Sequence, residues 1–322
     1  MKKFILILTA IIIISLAFSG YIYLNSRYET KKTTFFAFDT IINLTVTAKD
    51  SDEILQECER EIYRLDKLFN VHSTKSEISL LNDKGSISPV KVSEELYSLI
   101  ERSVGYSKDT DGAFDITIKP LVDLWDINSG KNIVPSEYQI EETLKKVSYN
   151  NIVFYPDTKI GFSSPYTKLD LGAVAKGYAA DRLCEIIKNH SYKKALLDLG
   201  GNIYCMGDDE YRIGIQNPDG KRGEYLEVIN AKNTSLVTGG GYERGFEKDG
   251  IYYHHIINPF DGYPADSGLK SVTVINKSSE MCDAYSTAVF VSGKKLAEKL
   301  CAEDKDLSFI LIDAEGKTER ID

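Results

Sequence analysis

Asp283 and Thr287 stand four residues apart in Met281-Cys282-Asp283-Ala284-Tyr285-Ser286-Thr287-Ala288-Val289-Phe290-Val291, so on the expected helix their oxygens share one face. A carboxylate beside a hydroxyl is a hard donor pair suited to Mg²⁺, which needs few protein oxygens and completes its shell from phosphate and water. The other reading of Asp283 is an N-cap or first-turn acid favouring the helix dipole. Adjacent histidines, His254 and His255, precede Pro259-Phe260-Asp261-Gly262. In a strand, neighbours point to opposite faces, so one metal cannot easily take both rings. Acid–base work by one of them fits better.

A third chemical element is Leu169-Asp170-Leu171-Gly172-Ala173-Val174-Ala175-Lys176-Gly177-Tyr178-Ala179-Ala180-Asp181. It reads as the end of a strand over 168–171, a turn at Gly172 and a helix from Val174 onward. Such a corner can bring backbone N–H groups and a helix N-terminus to an anion, or it can be an ordinary strand–turn–helix junction with a solvated Lys176. No Ser or Thr follows the lysine as a P-loop requires. Leu199-Gly200-Gly201-Asn202 reads as a strand with a bulge or a close backbone approach. Thr238-Gly239-Gly240-Gly241 reads as a phosphate-binding turn or a flexible hairpin loop. Trp125, the only tryptophan, is either a core residue or an apolar wall for a planar ring. A lone His72 in a polar loop reads as a surface or half-buried residue.

The elements positioning these groups follow from pattern. Residues 33–47 read as a strand or hairpin broken at Asp39-Thr40. Asp50 and Glu53 open a helix striped by Ile54, Cys58, Ile62, Leu65 and Phe69, and Ser93 and Ser136 cap two more. Strands are expected at 151–155, 159–162, 195–198, 211–216, 226–230, 251–258, 271–276 and 308–313. Without regular βαβ alternation, the fold class is α+β, a mixed or antiparallel β core with packed helices.

A formal charge of −9 over 322 residues, with no Lys/Arg stripe, argues against nucleic acid as a partner. It also favours a metal ion wherever the chain handles a polyanionic nucleotide. The five cysteines are scattered without C-x-x-C spacing, so buried free thiols are expected rather than a zinc site or disulfide framework. Lys2 and Lys3 precede an apolar run from Phe4 to about Leu24, long enough for a single transmembrane helix. Ala17-Phe18-Ser19 offers a signal-peptide cleavage site as the alternative. The organisation expected is an anchor over 1–24, a linker over 25–32 and one body over 33–322, held outside the cytoplasmic membrane.

Taken in order, Ala113-Phe114-Asp115-Ile116-Thr117 with Pro120-Leu121 and Leu124-Trp125, then Leu169–Asp181, Leu199-Gly200-Gly201-Asn202, Thr238–Arg244, His255-Ile256-Ile257-Asn258-Pro259 and Asp283–Ala288 resemble the blocks of the ApbE family, the Mg²⁺-dependent FAD:protein FMN transferases. The likeness covers roughly residues 33–313. It implies a single α+β body with a flavin cleft and two subdomains. The implied reaction moves FMN from FAD onto a Thr or Ser hydroxyl of an exported acceptor protein, releasing AMP. By position it implies Mg²⁺ on the Ala175 carbonyl, Asp283 and Thr287, with Ser286 adding its carbonyl. It implies FAD contacts at Phe38, Ala113, Phe114, Asp115, Gly172, Tyr178 and Ile257, and a catalytic His255 acting as a base near neutrality. His72 lies near a further flavin position. Two departures stand out: Gly239 replaces a hydroxyl residue, and Phe38-Asp39-Thr40 replaces Met-Gly-Thr. An FAD pyrophosphatase and a non-enzymatic, membrane-anchored flavin-binding module are the competing readings.

Overall fold

The structure, a computed structural model, describes residues 2–25, 28–221 and 223–322. Lys2–Asn25 form helix α1. The expected membrane span falls partly on side chains outside those described, and among the described residues no helix is long and apolar enough to cross a membrane.

The body opens with a hairpin, β1 (Glu29–Ala37) and β2 (Thr40–Ala48), so the sheet begins inside the stretch expected to be linker. Next come α2 (Ser51–Phe69), α3 (Glu77–Lys84), β3 (Val90–Lys91), α4 (Glu94–Asp109), α5 (Lys119–Trp125) and α6 (Glu137–Leu144). Ser76, Ser93 and Ser136 cap α3, α4 and α6 by accepting a backbone N–H three residues on, as their small hydroxyl side chains predict. β4 (Ile152–Tyr155) and β5 (Lys159–Phe162) make a small sheet with β3. Then follow α7 (Ala175–Lys188), β6 (Tyr192–Leu199), β7 (Asn202–Gly207), β8 (Tyr211–Gln216), β9 (Tyr225–Ala231), β10 (Thr234–Gly240), β11 (Gly245–Lys248) and β12 (Ile251–His254). The chain closes with β13 (Leu269–Asn276), α8 (Ser279–Ser292), α9 (Lys294–Glu303), β14 (Ser308–Asp313) and β15 (Thr318–Ile321).

The organising sheet has eight strands in the order β1-β2-β6-β7-β10-β13-β14-β15, every neighbouring pair antiparallel. The α+β expectation therefore holds. Alternation along the central strands sends one set of side chains to each face. Leu44, Leu197, Tyr204, Val237 and Val274 enter the main core beneath α2, α7 and α8. Cys205, Leu236, Ile310 and Ile312 face the other way and are covered by Ile213, Ile215 and Ile229 of the β8–β9 ribbon. A third cluster, Leu121, Trp125, Ile140 and Ile257, joins α5 and α6 to the segment after β12. All five cysteines are free and buried, as expected.

Three local expectations are corrected. Residues 168–171 form no strand; they are an extended segment pinned by the buried Asn82, whose carboxamide donates to the Leu169 carbonyl and accepts its N–H at 2.9 and 2.7 Å. Gly200-Gly201 is no bulge but the turn joining β6 to β7, with φ of 64° and 98° that glycine alone adopts freely, and the close approach read as the alternative is met at Gly200 by Thr40. Thr238–Gly240 is no loop: it is the paired end of β10 against β13.

Candidate active site

Two helices remote in sequence supply half of the site. α7 and α8 cross where Gly177 meets Ser279, so closely that a Cβ on Gly177 would lie 2.2 Å from the Ser279 carbonyl oxygen. That approach lets the Gly177 N–H donate to Asp283 Oδ2 at 2.9 Å. Asp181, one turn further along α7, fastens the same crossing by accepting the Ser279 and Glu280 N–H groups at 2.9 and 3.0 Å. It acts as an N-cap supplied by another helix, alongside the local cap Ser278. Burial pushes the Asp181 carboxyl up to about 6 against those hydrogen bonds.

Asp283 is thus not a first-turn acid but a buried carboxylate with one oxygen fixed. Its other oxygen, Oδ1, lies 3.7 Å from Lys176 Nζ. Lys176 also donates to the Gly172 carbonyl at 3.3 Å. Thr287 follows one turn along α8, half-buried. Ala175 opens α7 two residues before Gly177, with its side chain buried. Ser286 Oγ donates its proton inward to the Asp283 carbonyl at 2.8 Å. Among the described residues no three His, Cys, Asp or Glu side chains group as a metal site. One carboxylate, one hydroxyl and backbone carbonyls would not form such a group, yet they are the donors a hard cation takes. In donor type, then, the residues fit Mg²⁺, with the Lys176 ammonium now beside Asp283 Oδ1.

The second half comes from turns at one end of the sheet. Phe38 and Asp39, both with positive φ (50° and 54°), turn β1 into β2. Arg244 Nη2 donates to the Asp39 carbonyl at 3.0 Å. A Cβ on Gly200 would sit 2.1 Å from Thr40 Oγ1, so the β6–β7 turn closes on the β1–β2 turn. The Arg244 carbonyl in turn accepts from the backbone N–H and the Nδ1 of His255, both at 3.2 Å. An acceptor at Nδ1 places the proton there and leaves Nε2 with a free lone pair. Burial pushes the His255 pKa down to about 4, with Arg244, His254 and Lys176 adding repulsion. The expected base near neutrality is therefore corrected to a neutral imidazole of low basicity. His254 is structural: Nε2 donates to the Ala265 carbonyl at 2.9 Å and Nδ1 accepts the Ile256 N–H.

The remaining expected residues divide. Gly172 is exposed beside the Asp170 carboxylate, which accepts its N–H at 2.8 Å. The Tyr178 hydroxyl is committed to Glu95 at 2.7 Å and its ring packs edge-on against Phe69. Ala113 and Phe114 side chains lie in the main core, so that segment can offer a ligand only its backbone. Asp115 caps its own short helix through Thr117 and takes the Tyr149 N–H at 2.9 Å. Burial raises its pKa. Ile257 is buried against Trp125. Trp125 is 1% exposed and donates Nε1–H to the Gly262 carbonyl, so it is core and no flavin wall. His72 lies exposed on its loop. A Cβ on Gly239 would stand 3.1 Å from Ser286 Oγ, so any side chain there would press on Ser286. Gly177, Asp181 and Asn82 escaped the sequence reading. Only Gly177, a glycine within a helical pattern, carried a signal.

The ApbE family profile matches residues 38–311. Curated relatives include an FAD:protein FMN transferase of Treponema pallidum, 32% identical over 268 residues that make up 77% of this chain and 73% of that protein. Another, from Klebsiella pneumoniae, is 36% identical over 77% of this chain and 79% of its own length. Among solved structures, the ApbE protein of Thermotoga maritima superposes with a TM-score of 0.83 at 31% identity, covering 91% of this chain and 97% of that one.

Proposed function

The chain belongs to the ApbE family, and from that premise we propose the details of an FAD:protein FMN transferase reaction at the seam of α7 and α8. The carrying observation is the buried Asp283, cation-paired with Lys176 and oriented by Gly177, with the charge of the same Lys176 also felt at His255. The hydroxyl oxygen of a Thr or Ser on an acceptor protein attacks the FMN phosphorus of FAD. The bond between that phosphorus and the bridging oxygen breaks, and AMP leaves with the electron pair. A Mg²⁺ ion held by Asp283, Thr287 and the Ala175 carbonyl would supply Lewis-acid stabilisation of charge on the diphosphate. His255 Nε2 accepts the hydroxyl proton as the new P–O bond forms, and Arg244 fixes the ring for that task. The same reading assigns FAD contacts to Phe38, Gly172 and the Ala113–Asp115 backbone. The apolar run from Phe4 to about Leu24 supports a single-pass anchor that holds the body outside the cytoplasmic membrane, where an exported acceptor would meet it.

The test combines the full chain, FAD, Mg²⁺ and a candidate acceptor. A mass gain of one FMN on an acceptor Thr or Ser, with AMP released, supports the reading. Free FMN alone turns it into a hydrolase, and unchanged FAD into a binding module.

A base of low pKa has a visible consequence. The active neutral His255 persists as pH falls until about 4, so the acid limb of kcat/KM is expected near 4 rather than near 6.5. His255→Ala is expected to lower kcat about 10²-fold while FAD affinity stays unchanged. A limb near 6.5 that vanishes in the variant would refute the tautomer and burial argument. The same shift acts on stability: the unfolded ring takes its proton near 6.5 and the folded ring near 4. Its contribution is therefore full above 6.5 and lost as pH falls toward 4.

A further inference from the structure

Lys176 has no part in the reaction just derived, yet it occupies the most telling place in the site. Its Nζ lies 3.7 Å from Asp283 Oδ1, too long for a hydrogen bond and short enough for an ion pair. Among the described residues it is the one cation within 4.0 Å of that carboxylate. The Asp283 side chain is 6% exposed and that of Lys176 23%, so water screens the pair little. A buried carboxylate left without a counter-charge is costly. The oxygen facing Lys176 is also the one left open by Gly177, and so the one a metal would take.

We propose that Lys176 is the resident counter-ion of the metal-free site, and that a divalent cation must displace its ammonium from Asp283 to bind. The inference rests on the metal reading given above. Three features make the displacement cheap. The ion pair lacks a hydrogen bond, the four-carbon stem is flexible, and the Gly172 carbonyl offers a second contact at 3.3 Å. Two cations cannot share one oxygen at that distance without strong repulsion, so ammonium and metal are competitors.

Competition predicts a gain of affinity on mutation, which a merely solvated lysine would not give. Direct calorimetric titration of the full chain with MnCl₂, in the absence of FAD, reads it without any activity. Lys176→Gln is expected to bind Mn²⁺ about ten-fold more tightly than the parent chain, within the usual range of site-to-site coupling. Lys176→Arg, which keeps the charge, is expected to bind like the parent, and thermal melts of both variants verify folding. Equal or weaker Mn²⁺ binding by folded Lys176→Gln overturns the inference alone. Absence of Mn²⁺ binding in the parent and in Lys176→Gln overturns the metal reading itself.

Discussion

Asp283→Ala is expected to abolish FMN transfer, by roughly 10³-fold or more, because it removes the one charged donor for a cation on the diphosphate. The variant also strands the Gly177 N–H, whose acceptor is Asp283 Oδ2. An unsatisfied buried donor costs about 1–3 kcal/mol, so part of any loss could be structural. Asp283→Asn separates the two effects, since its amide oxygen still accepts from Gly177 while the charge is gone. Both variants should be inactive in an acceptor-mass assay, and only the alanine variant should melt at lower temperature. A normal rate of acceptor flavinylation by folded Asp283→Asn would remove the metal assignment.

Gly177→Ala is the second large effect, and its sign goes against helix propensity. At an ordinary helical position, alanine stabilises by about 1 kcal/mol relative to glycine. Here the added Cβ would stand 2.2 Å from the Ser279 oxygen and 2.8 Å from Asp283 Cβ. Backbone cannot yield as a side-chain tip can, so α7 and α8 must separate. Overpacking of this kind costs about 1–3 kcal/mol and outweighs the propensity gain. It also pulls Ala175 away from Asp283. The expected result is a melting temperature lower by several degrees, at about 2–4 °C per kcal/mol for a large domain, with transfer reduced at least about 10²-fold. An unchanged melt with full activity would show that the helices do not depend on this contact.

Much of the chemistry was readable because it sits in local spacing. The four-residue step from Asp283 to Thr287, the paired histidines and the caps Ser93 and Ser136 all express short-range rules. What escaped is what depends on distant partners. Residues 168–171 have strand composition but no strand beside them, because Asn82 satisfies their backbone instead. The glycines of β10 resemble a loop until β13 pairs with them. Asp181 looks like an exposed helical acid; only the arrival of α8, almost a hundred residues later, makes it a cap. The low basicity of His255 has the same origin, since the burial that lowers its pKa, against the raising effect of the Arg244 carbonyl, comes from the tertiary fold. Trp125 remained ambiguous until Gly262 claimed its N–H.

The strand order carries a kinetic consequence. β2 ends at Ala48, and its sheet neighbour β6 begins only at Tyr192, after the six helices α2 to α7 and the small β3–β5–β4 sheet have been laid down. Closing so long an excursion gives a high contact order and slow maturation. The edge hairpin can form early, but the α7–α8 crossing is complete only once α8 is made, near the end of the chain. On the proposed site, a nascent chain lacks Asp283 and Thr287 until nearly all of it has been made, so incomplete copies are expected not to consume FAD.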